Sequence, residues 1–150
     1  MHLLFVCHGN ICRSTMAESV MAHLLAKAHL EHVVTVDSAA TSTEEIGNPP
    51  HYGTRGELAR RQVPLRPHRA RRITARDAAE ADLILAMDHA NVRNLKRMLP
   101  EAEHGKIRLL LSFAGHEEEI ADPWYTGAFD LTYEDVLAGC EGLLKWLQRA

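Results

Sequence analysis

Cysteine is scarce in this sequence, and that scarcity excludes a fold held together by disulfide bonds. Only three cysteines occur in 150 residues, whereas small secreted domains carry dense, even-numbered sets. Residues 2–6 also run directly into Cys7, which leaves no room for a signal peptide. Together these absences predict a cytoplasmic protein that keeps its thiols reduced.

Long apolar runs and a strong excess of one charge are missing too. No apolar segment approaches the roughly 20 residues that a membrane-spanning helix requires, so no membrane association is expected. The formal net charge of −3 does not favour binding to nucleic acid. No internal repeat, low-complexity tract or linker interrupts the chain.

Short apolar segments alternate with amphipathic stretches along the chain. Strands are predicted at residues 3–6, 33–36, 82–87 and 107–111. Helices are predicted at about 14–28 and 52–62, in a short stretch capped by Thr74 and Asp77, at about 88–99, and from about 132 to the end. Residues 38–50 are polar with two prolines and predict a loop. We therefore expect a single α/β domain over residues 1–150: a three-layer sandwich with a central four-stranded parallel sheet and helices on both faces.

The segment FVCHGNICRS (residues 5–14) lies where the first strand ends and the first helix begins. Ligands of parallel sheets bind at this edge, and a short loop there can turn its N–H groups toward an anion. Gly9 and Asn10 tolerate unusual backbone angles, and Arg13 supplies a forked donor for phosphate. Cys7 would lie beneath the anion as a thiolate, an arrangement that suits phosphoryl transfer through a cysteinyl phosphate.

Three other interpretations of this segment remain. Cys7 and Cys12 could be half of a zinc site, but only Cys140 could add a thiol and no paired histidine motif accompanies it. They could form a structural disulfide, which fits poorly with so few cysteines. A plain anion-binding loop without chemistry is the strongest alternative, although it would not need a cysteine at position 7.

Residues 7–14 resemble the signature of the low-molecular-weight protein tyrosine phosphatases, in which a cysteine, five residues, an arginine, and a serine or threonine follow one another. Other segments resemble landmarks of that family in the same order, over nearly the whole chain. They are MAES after the loop, VDSAATS (36–42), EIGNPPHYG (45–53), HRARRIT (68–74), ADLILAMD (81–88) and DPWYTG (122–127), which resembles the Asp-Pro loop.

The resemblance implies a protein tyrosine phosphatase that needs no cofactor or metal and hydrolyses phosphotyrosine and aryl phosphate monoesters. Cys7 would be the nucleophile, Arg13 would bind the phosphoryl oxygens, and Asp122 would be the general acid. The implied phosphate-binding residues are His8, Gly9, Asn10, Ile11, Cys12, Arg13 and Ser14.

The resemblance also implies supporting roles. Asn10, Ser14, Ser38 and His68 would form a hydrogen-bond network beneath the loop, with Ser14 donating to the Cys7 thiolate. Cys12 matches a second loop cysteine that forms a disulfide with the nucleophile in relatives, which would make Cys7 and Cys12 a redox pair.

The expected substrate cleft is lined by Ile11, Glu44, Trp124 and Tyr125, and its apolar and aromatic walls suit a phenyl ring. The family's arginine phosphatases carry threonine at the position of Ile11, and its arsenate reductases carry further cysteines between positions 13 and 139 that this chain lacks. Three residues depart from the family pattern. Thr15 replaces a proline, Ala40 replaces a frequent glycine, and Glu44 replaces an aromatic residue and would repel acidic peptides.

The expected partners are phosphotyrosine-containing proteins, and a monomer or weak dimer is expected. A run of arginines between positions 55 and 76 lacks interleaved aromatic residues, so a solvated surface is favoured over a nucleic-acid site, with recruitment of acidic phosphoproteins as the alternative. A catalytically silent phosphate-binding module and a Cys7/Cys12 redox sensor are the alternative functions. Phosphoarginine and small phosphoesters remain alternative substrates.

Overall fold

A parallel four-stranded sheet forms the centre of the computed structural model, which describes residues 1–149. The strands are β1 (His2–Cys7), β2 (Thr35–Ala40), β3 (Leu83–Ala86) and β4 (Ile107–Leu109), in the order β2-β1-β3-β4. The helices are α1 (Arg13–Lys27), α2 (Tyr52–Arg60), α3 (Ala75–Glu80), α4 (His89–Met98), α5 (Pro123–Thr126) and α6 (Phe129–Arg149). Two 3₁₀ helices cover Glu101–Lys106 and Leu110–Ala114.

Two apolar cores lie on opposite faces of the sheet. On β1, Leu3 and Phe5 pack with α1, α2 and α6, whereas Leu4 and Val6 pack with α3 and α4. This alternation follows from the two-residue period of a strand, which points successive side chains to opposite faces. The α/β fold, with a parallel sheet between two layers of helices, is therefore confirmed.

Several predicted boundaries are wrong. Strand β2 covers Thr35–Ala40 rather than 33–36, because Ser38, Ala39 and Ala40 pair in parallel with Phe5, Val6 and Cys7. The predicted loop therefore begins after position 40. Helix α6 begins at Phe129 rather than near 132, β3 and β4 are shorter than predicted, and the Asp-Pro segment contains the short helix α5.

The strand β1 lies between β2 and β3, and residues 3–7 are buried. Its last residue is Cys7, and α1 begins at Arg13. The intervening loop therefore lies at the carboxyl edge of the sheet, which is where parallel sheets bind their ligands.

Gly142 allows α6 to lie directly against the 3₁₀ helix Leu110–Ala114. A Cβ atom at Gly142 would lie 2.1 Å from the carbonyl oxygen of Phe113, whereas a Cβ atom at Gly105 would meet nothing within 4 Å. We expect Gly142→Ala to lower the free energy of unfolding by about 2 kcal/mol because the backbone has to shift. Urea denaturation with Gly105→Ala as the control measures this effect, and equal midpoints for the two variants would contradict it.

Candidate active site

The loop between β1 and α1 holds the sulfur of Cys7 among hydrogen-bond donors. The Asn10 N–H donates to Cys7 Sγ at 3.3 Å, and Ser14 Oγ lies 3.1 Å from the same sulfur. Asn10 also donates from Nδ2 to Ser14 Oγ at 2.8 Å, which leaves the Ser14 hydroxyl hydrogen free to point at Cys7. Asn10 has a φ of 60°, a left-handed conformation that asparagine tolerates and the turn requires.

The first turn of α1 lacks a side-chain cap. Cys12 occupies the N-cap position, but its side chain makes no capping hydrogen bond. The first N–H groups of the helix therefore have no side-chain acceptor. Free N–H groups and the positive end of the helix dipole together favour an anion at this position.

The four residues predicted to support the loop do lie together. Asn10 Nδ2 also donates to Ser38 Oγ at 3.0 Å, and Ser38 Oγ donates to Glu18 Oε1 at 2.6 Å. His68 Nε2 lies 2.7 Å from Asn10 Oδ1, so this nitrogen carries the hydrogen of the bond. Because Asn10 is fully buried, these partners satisfy an amide that would otherwise be costly to bury.

Glu18 and Asp37 complete this network, and the sequence analysis missed both. Their carboxylates lie 3.6 and 3.8 Å from His68 Nδ1, and the three side chains offer ligand atoms within 4.8 Å of one another. Arg66 pairs with Glu18 at 3.0 Å, and Arg71 pairs with Asp37 at 2.9 Å. The two carboxylates are thus already engaged by arginines of the same chain.

Arg13 carries a buried guanidinium group, and only 2% of the residue's surface is exposed. Its Nη1 donates to Asp88 Oδ2 at 2.8 Å and to the Ile120 carbonyl at 2.9 Å, while its Nη2 lies 3.5 Å from Asp122 Oδ2. Burial by itself lowers the pKa of Arg13, but Cys7, Asp88 and Asp122 together raise it above its ordinary value. Its Nε is buried and has no hydrogen-bond partner in the described part of the chain, so it is a donor that a phosphate oxygen would satisfy.

Asp88 has two functions in this arrangement. One carboxylate oxygen caps α4 by accepting from Asn91 N at 2.7 Å, and the other accepts from Arg13. The sequence analysis did not identify its contact with Arg13. The position of Asp88 after β3, next to β1 in the sheet, was the signal that could have linked it to Arg13.

Asp122 lies at the mouth of the site as the N-cap of α5. Its Oδ1 accepts from Trp124 N at 3.1 Å, while Oδ2 lies near Arg13. Pro123 is buried and occupies the start of the helix, where its fixed φ suits the first turn. The Asp-Pro segment therefore holds the Asp122 carboxyl over the loop.

A cleft above Cys7 contains the side chains predicted for it. Trp124 and Tyr125 are exposed along the cleft, whereas Ile11 is buried in its wall. The sequence analysis missed Glu45. The lining residues are Cys7, His8, Gly9, Ile11, Cys12, Glu44, Glu45, Asp122, Trp124 and Tyr125.

His51 connects the loop to the Asp-Pro segment, and it too was missed. Its backbone N–H donates to the Ile11 carbonyl at 2.8 Å. Its ring stacks on Tyr52 and Phe129 and meets Trp124 edge-on at a centroid distance of 5.6 Å. No motif marked this contact, because the residues come together only in the folded chain.

Two departures from the family pattern are accommodated locally. Thr15 is buried, and its hydroxyl donates to the Cys12 carbonyl at 3.2 Å. Ala40 ends β2 and forms a parallel bridge with Arg72, and its φ is not positive. Neither position therefore requires the proline or the glycine.

Most of the clustered arginines are paired with carboxylates of this chain. Arg60 and Arg61 pair with Glu57, and Arg71 and Arg76 pair with Asp77 and Glu80, respectively. These contacts favour the interpretation of the run as a solvated, ion-paired surface. None of the helices within residues 1–149 combines the length and the apolar composition that a membrane span requires.

All three cysteines are free and buried. Burial raises the pKa of Cys12 to about 12, with Cys7 and Asp122 adding to the effect. Burial also raises the pKa of Cys140, whose sulfur lies in the core between α6 and α1. Neither group supplies a reactive thiolate near neutral pH.

Comparison with known proteins gives consistent matches over the full length. The family model for low molecular weight phosphotyrosine protein phosphatase matches residues 2–150. The low molecular weight protein-tyrosine-phosphatase YfkJ of Bacillus subtilis is 38% identical over 149 residues, covering 98% of this chain and 96% of the relative. The low molecular weight protein-tyrosine-phosphatase PtpA of Staphylococcus aureus is 38% identical over 144 residues, covering 95% of this chain and 91% of the relative.

Solved structures agree with these matches. The crystal structure of YfkJ aligns with a TM-score of 0.95 and covers 99% of this chain and 95% of the other. A Drosophila arginine phosphatase aligns with a TM-score of 0.90 at 35% identity, covering 98% of each chain. The fold is therefore shared with enzymes whose names specify two different phosphorylated side chains.

The three thiols should differ in their reaction with iodoacetamide. We expect Cys12 and Cys140 to react at least about 100-fold more slowly than Cys7 at pH 7.5, because alkylation requires the thiolate. At pH 9, Cys12 should still be unreactive, since its pKa is about 12. Peptide mass spectrometry after timed labelling measures the rates, and Cys7→Ser should lose the fast label. Labelling of Cys12 as fast as Cys7 would contradict this assignment.

Proposed function

Because the chain belongs to the low molecular weight phosphotyrosine protein phosphatase family, we propose that Cys7 is the nucleophile of a protein-tyrosine phosphatase that hydrolyses phosphotyrosine in proteins. Members of this family act through a cysteine nucleophile. The observation that supports this role is the position of Cys7 Sγ, which receives the Asn10 N–H and lies 3.1 Å from Ser14 Oγ at the base of the cleft.

In the first step the Cys7 thiolate attacks phosphorus. The sulfur–phosphorus bond forms as the bond to the tyrosyl oxygen breaks. Arg13 and the N–H groups of the loop bind the phosphoryl oxygens, where most of the charge of the transition state lies. Asp122 donates its proton to the leaving phenolate.

In the second step water hydrolyses the cysteinyl phosphate. Asp122, now a carboxylate, accepts a proton from water, and the water oxygen attacks phosphorus as the sulfur–phosphorus bond breaks. Inorganic phosphate leaves and the Cys7 thiolate is regenerated. Side chains and backbone supply every group that the two steps use, so the proposal includes no cofactor.

Asn10, Ser14, Ser38 and His68 act as positioning residues. Their side chains do not touch the substrate in this proposal, but they hold the left-handed turn at Asn10 and direct the Ser14 hydroxyl toward Cys7. The loop from His8 to Ser14 binds the phosphate through its backbone N–H groups and through the Arg13 side chain.

The depth of Cys7 favours an aryl substrate. Cys7 is 3% exposed, so the phosphoryl group has to project from a long, flat side chain. Ile11, Trp124 and Tyr125 provide walls for a phenyl ring. Phosphoarginine is the alternative substrate, because the Drosophila arginine phosphatase shares this fold.

Cys12 is proposed as the redox partner of Cys7. A peroxide would oxidise the Cys7 thiolate to a sulfenic acid, and the Cys12 thiol would then displace water to form a disulfide. The raised pKa of Cys12 makes the second step slow at neutral pH. Such a bond would protect Cys7 from further oxidation.

We also propose that the chain forms a single domain, that it is located in the cytoplasm, and that it is a monomer or a weak dimer. The location is supported by the need to keep three free cysteines, one of them the nucleophile, in the reduced state.

Replacing the nucleophile should abolish turnover without unfolding the chain. We expect Cys7→Ser to lower kcat for p-nitrophenyl phosphate at least about 1,000-fold, since a serine hydroxyl is not ionised near neutral pH. Cys140→Ala is the matched control, because it removes a thiol remote from the cleft. Assays in EDTA should give the same rates as assays without it. Substantial turnover by Cys7→Ser would exclude Cys7 as the nucleophile.

The role of Asp122 should depend on the leaving group. Asp122→Asn keeps an oxygen that can accept from Trp124 N but removes the transferable proton. We expect kcat to fall by about 100-fold or more for phenyl phosphate and much less for 2,4-dinitrophenyl phosphate, whose phenolate leaves without protonation. A series of aryl phosphates measures the trend. Equal slowing across the series would assign Asp122 a structural role instead.

A further inference from the structure

The cleft above Cys7 has an acidic mouth. Its lining includes the carboxylates of Glu44, Glu45 and Asp122 and the imidazole of His8, and within residues 1–149 it includes no lysine or arginine. Carboxylates repel a phosphate dianion. The negative charge is therefore suited to contact with the part of the substrate that stays outside the phosphate loop.

Glu44 and Glu45 carry the lasting negative charge. Asp122 is left out of this count, because in the proposed function it donates a proton in the first step. His8 Nε2 lies 3.0 Å from Glu44 Oε2 and can offset at most one charge. Glu44 and Glu45 form one wall of the cleft mouth, and at least one negative charge therefore remains on this wall during binding.

Hydrogen bonds on both sides of Glu44 and Glu45 anchor the wall. Ser42 Oγ donates to the His8 carbonyl at 2.9 Å, and Gly47 N donates to the Ala70 carbonyl at 2.8 Å. Asn48 Nδ2 donates to Glu45 Oε2 at 2.5 Å. The Glu44 side chain is 68% exposed, so its carboxylate is accessible to a ligand.

Within residues 1–149, no ion pair joins the clustered arginines to Glu44 or Glu45. Arg69 contacts this loop through the Gly47 carbonyl, to which its Nη1 donates at 3.0 Å. Arg66 and Arg71 pair with other carboxylates. Arg55 and Arg69 line a separate groove with Pro49, Pro50, Leu65, Pro67 and His68. A substrate at the cleft mouth therefore meets the two glutamates rather than the arginines.

We propose that Glu44 and Glu45 are specificity-determining residues that select phosphotyrosine flanked by lysine or arginine. The inference rests on the proposed function, because it concerns the same cleft. The phosphate dianion binds in the loop, and a neighbouring cationic side chain binds at the acidic mouth. Acidic flanking residues meet like charge and are disfavoured.

Three phosphotyrosine peptides that differ only at the flanking positions test the proposal, with lysine, glutamine or glutamate on both sides. We expect wild-type kcat/KM to be about tenfold higher for the lysine peptide than for the glutamate peptide. An exposed ion pair changes an affinity by a factor of about 1.5 to 5, and the peptides gain attraction in one case and meet repulsion in the other. The double variant Glu44→Gln/Glu45→Gln should reduce that ratio to about two. Higher salt should also reduce the ratio in wild type.

Dividing the kcat/KM of one peptide by that of another, for the same variant, removes any change that affects both peptides equally, such as a general loss of activity. Glu101→Gln is the matched control, because it removes an exposed glutamate outside the cleft and should leave the wild-type ratio unchanged. Equal kcat/KM values for the three peptides in wild type, or a ratio that survives in the double variant, would overturn the inference. No hydrolysis of any peptide or of p-nitrophenyl phosphate would instead overturn the proposed function.

Discussion

The burial of the Arg13 guanidinium is the constraint on which the rest of the site depends. A buried charge without partners would be strongly destabilising, so the fold has to bring hydrogen-bond acceptors and negative charge to it. Asp88 arrives from the end of β3, the Ile120 carbonyl from the segment after β4, and Asp122 from the start of α5. The groups that stabilise the cation therefore also place Asp122, the proposed general acid, over Cys7, the proposed nucleophile, and they leave Nε free for a phosphate oxygen.

The second constraint is the polar network beneath the loop. Both ends of the Asn10 amide are bonded, to Ser14 and Ser38 on one side and to His68 on the other, and these bonds hold the left-handed turn in place. Asn10, Ser14 and Ser38 are buried, and a missing partner there would be costly. The network thereby makes the Ser14 hydroxyl a donor to Cys7. Loop shape and the environment of the thiol are set by the same hydrogen bonds.

The order and type of most elements follow from local pattern. Apolar runs alternate with amphipathic ones, and β1, α1, α3 and α4 lie where periodicity and capping residues place them, because those signals act within a few residues. The extension of β2 through Ala40 was not predictable from its polar composition, because it depends on hydrogen bonds to β1 and to Arg71. The early start of α6 at Phe129 likewise coincides with stacking of its ring on His51.

For the site, the sequence by itself determined the Cys7–Ser14 loop, the helix that follows it and the Asp-Pro segment, because their residues lie within short motifs whose chemistry is local. It also supplied the glutamate at position 44. Only the tertiary structure decided that Asp88 holds Arg13, that Glu18 and Asp37 face His68, and that Glu45 joins Glu44 at the cleft mouth. Those contacts link segments that are distant along the chain or depend on how a loop folds back. Charge and hydrogen-bonding capacity are properties of single residues, whereas the partner that each one meets is a property of the packed fold.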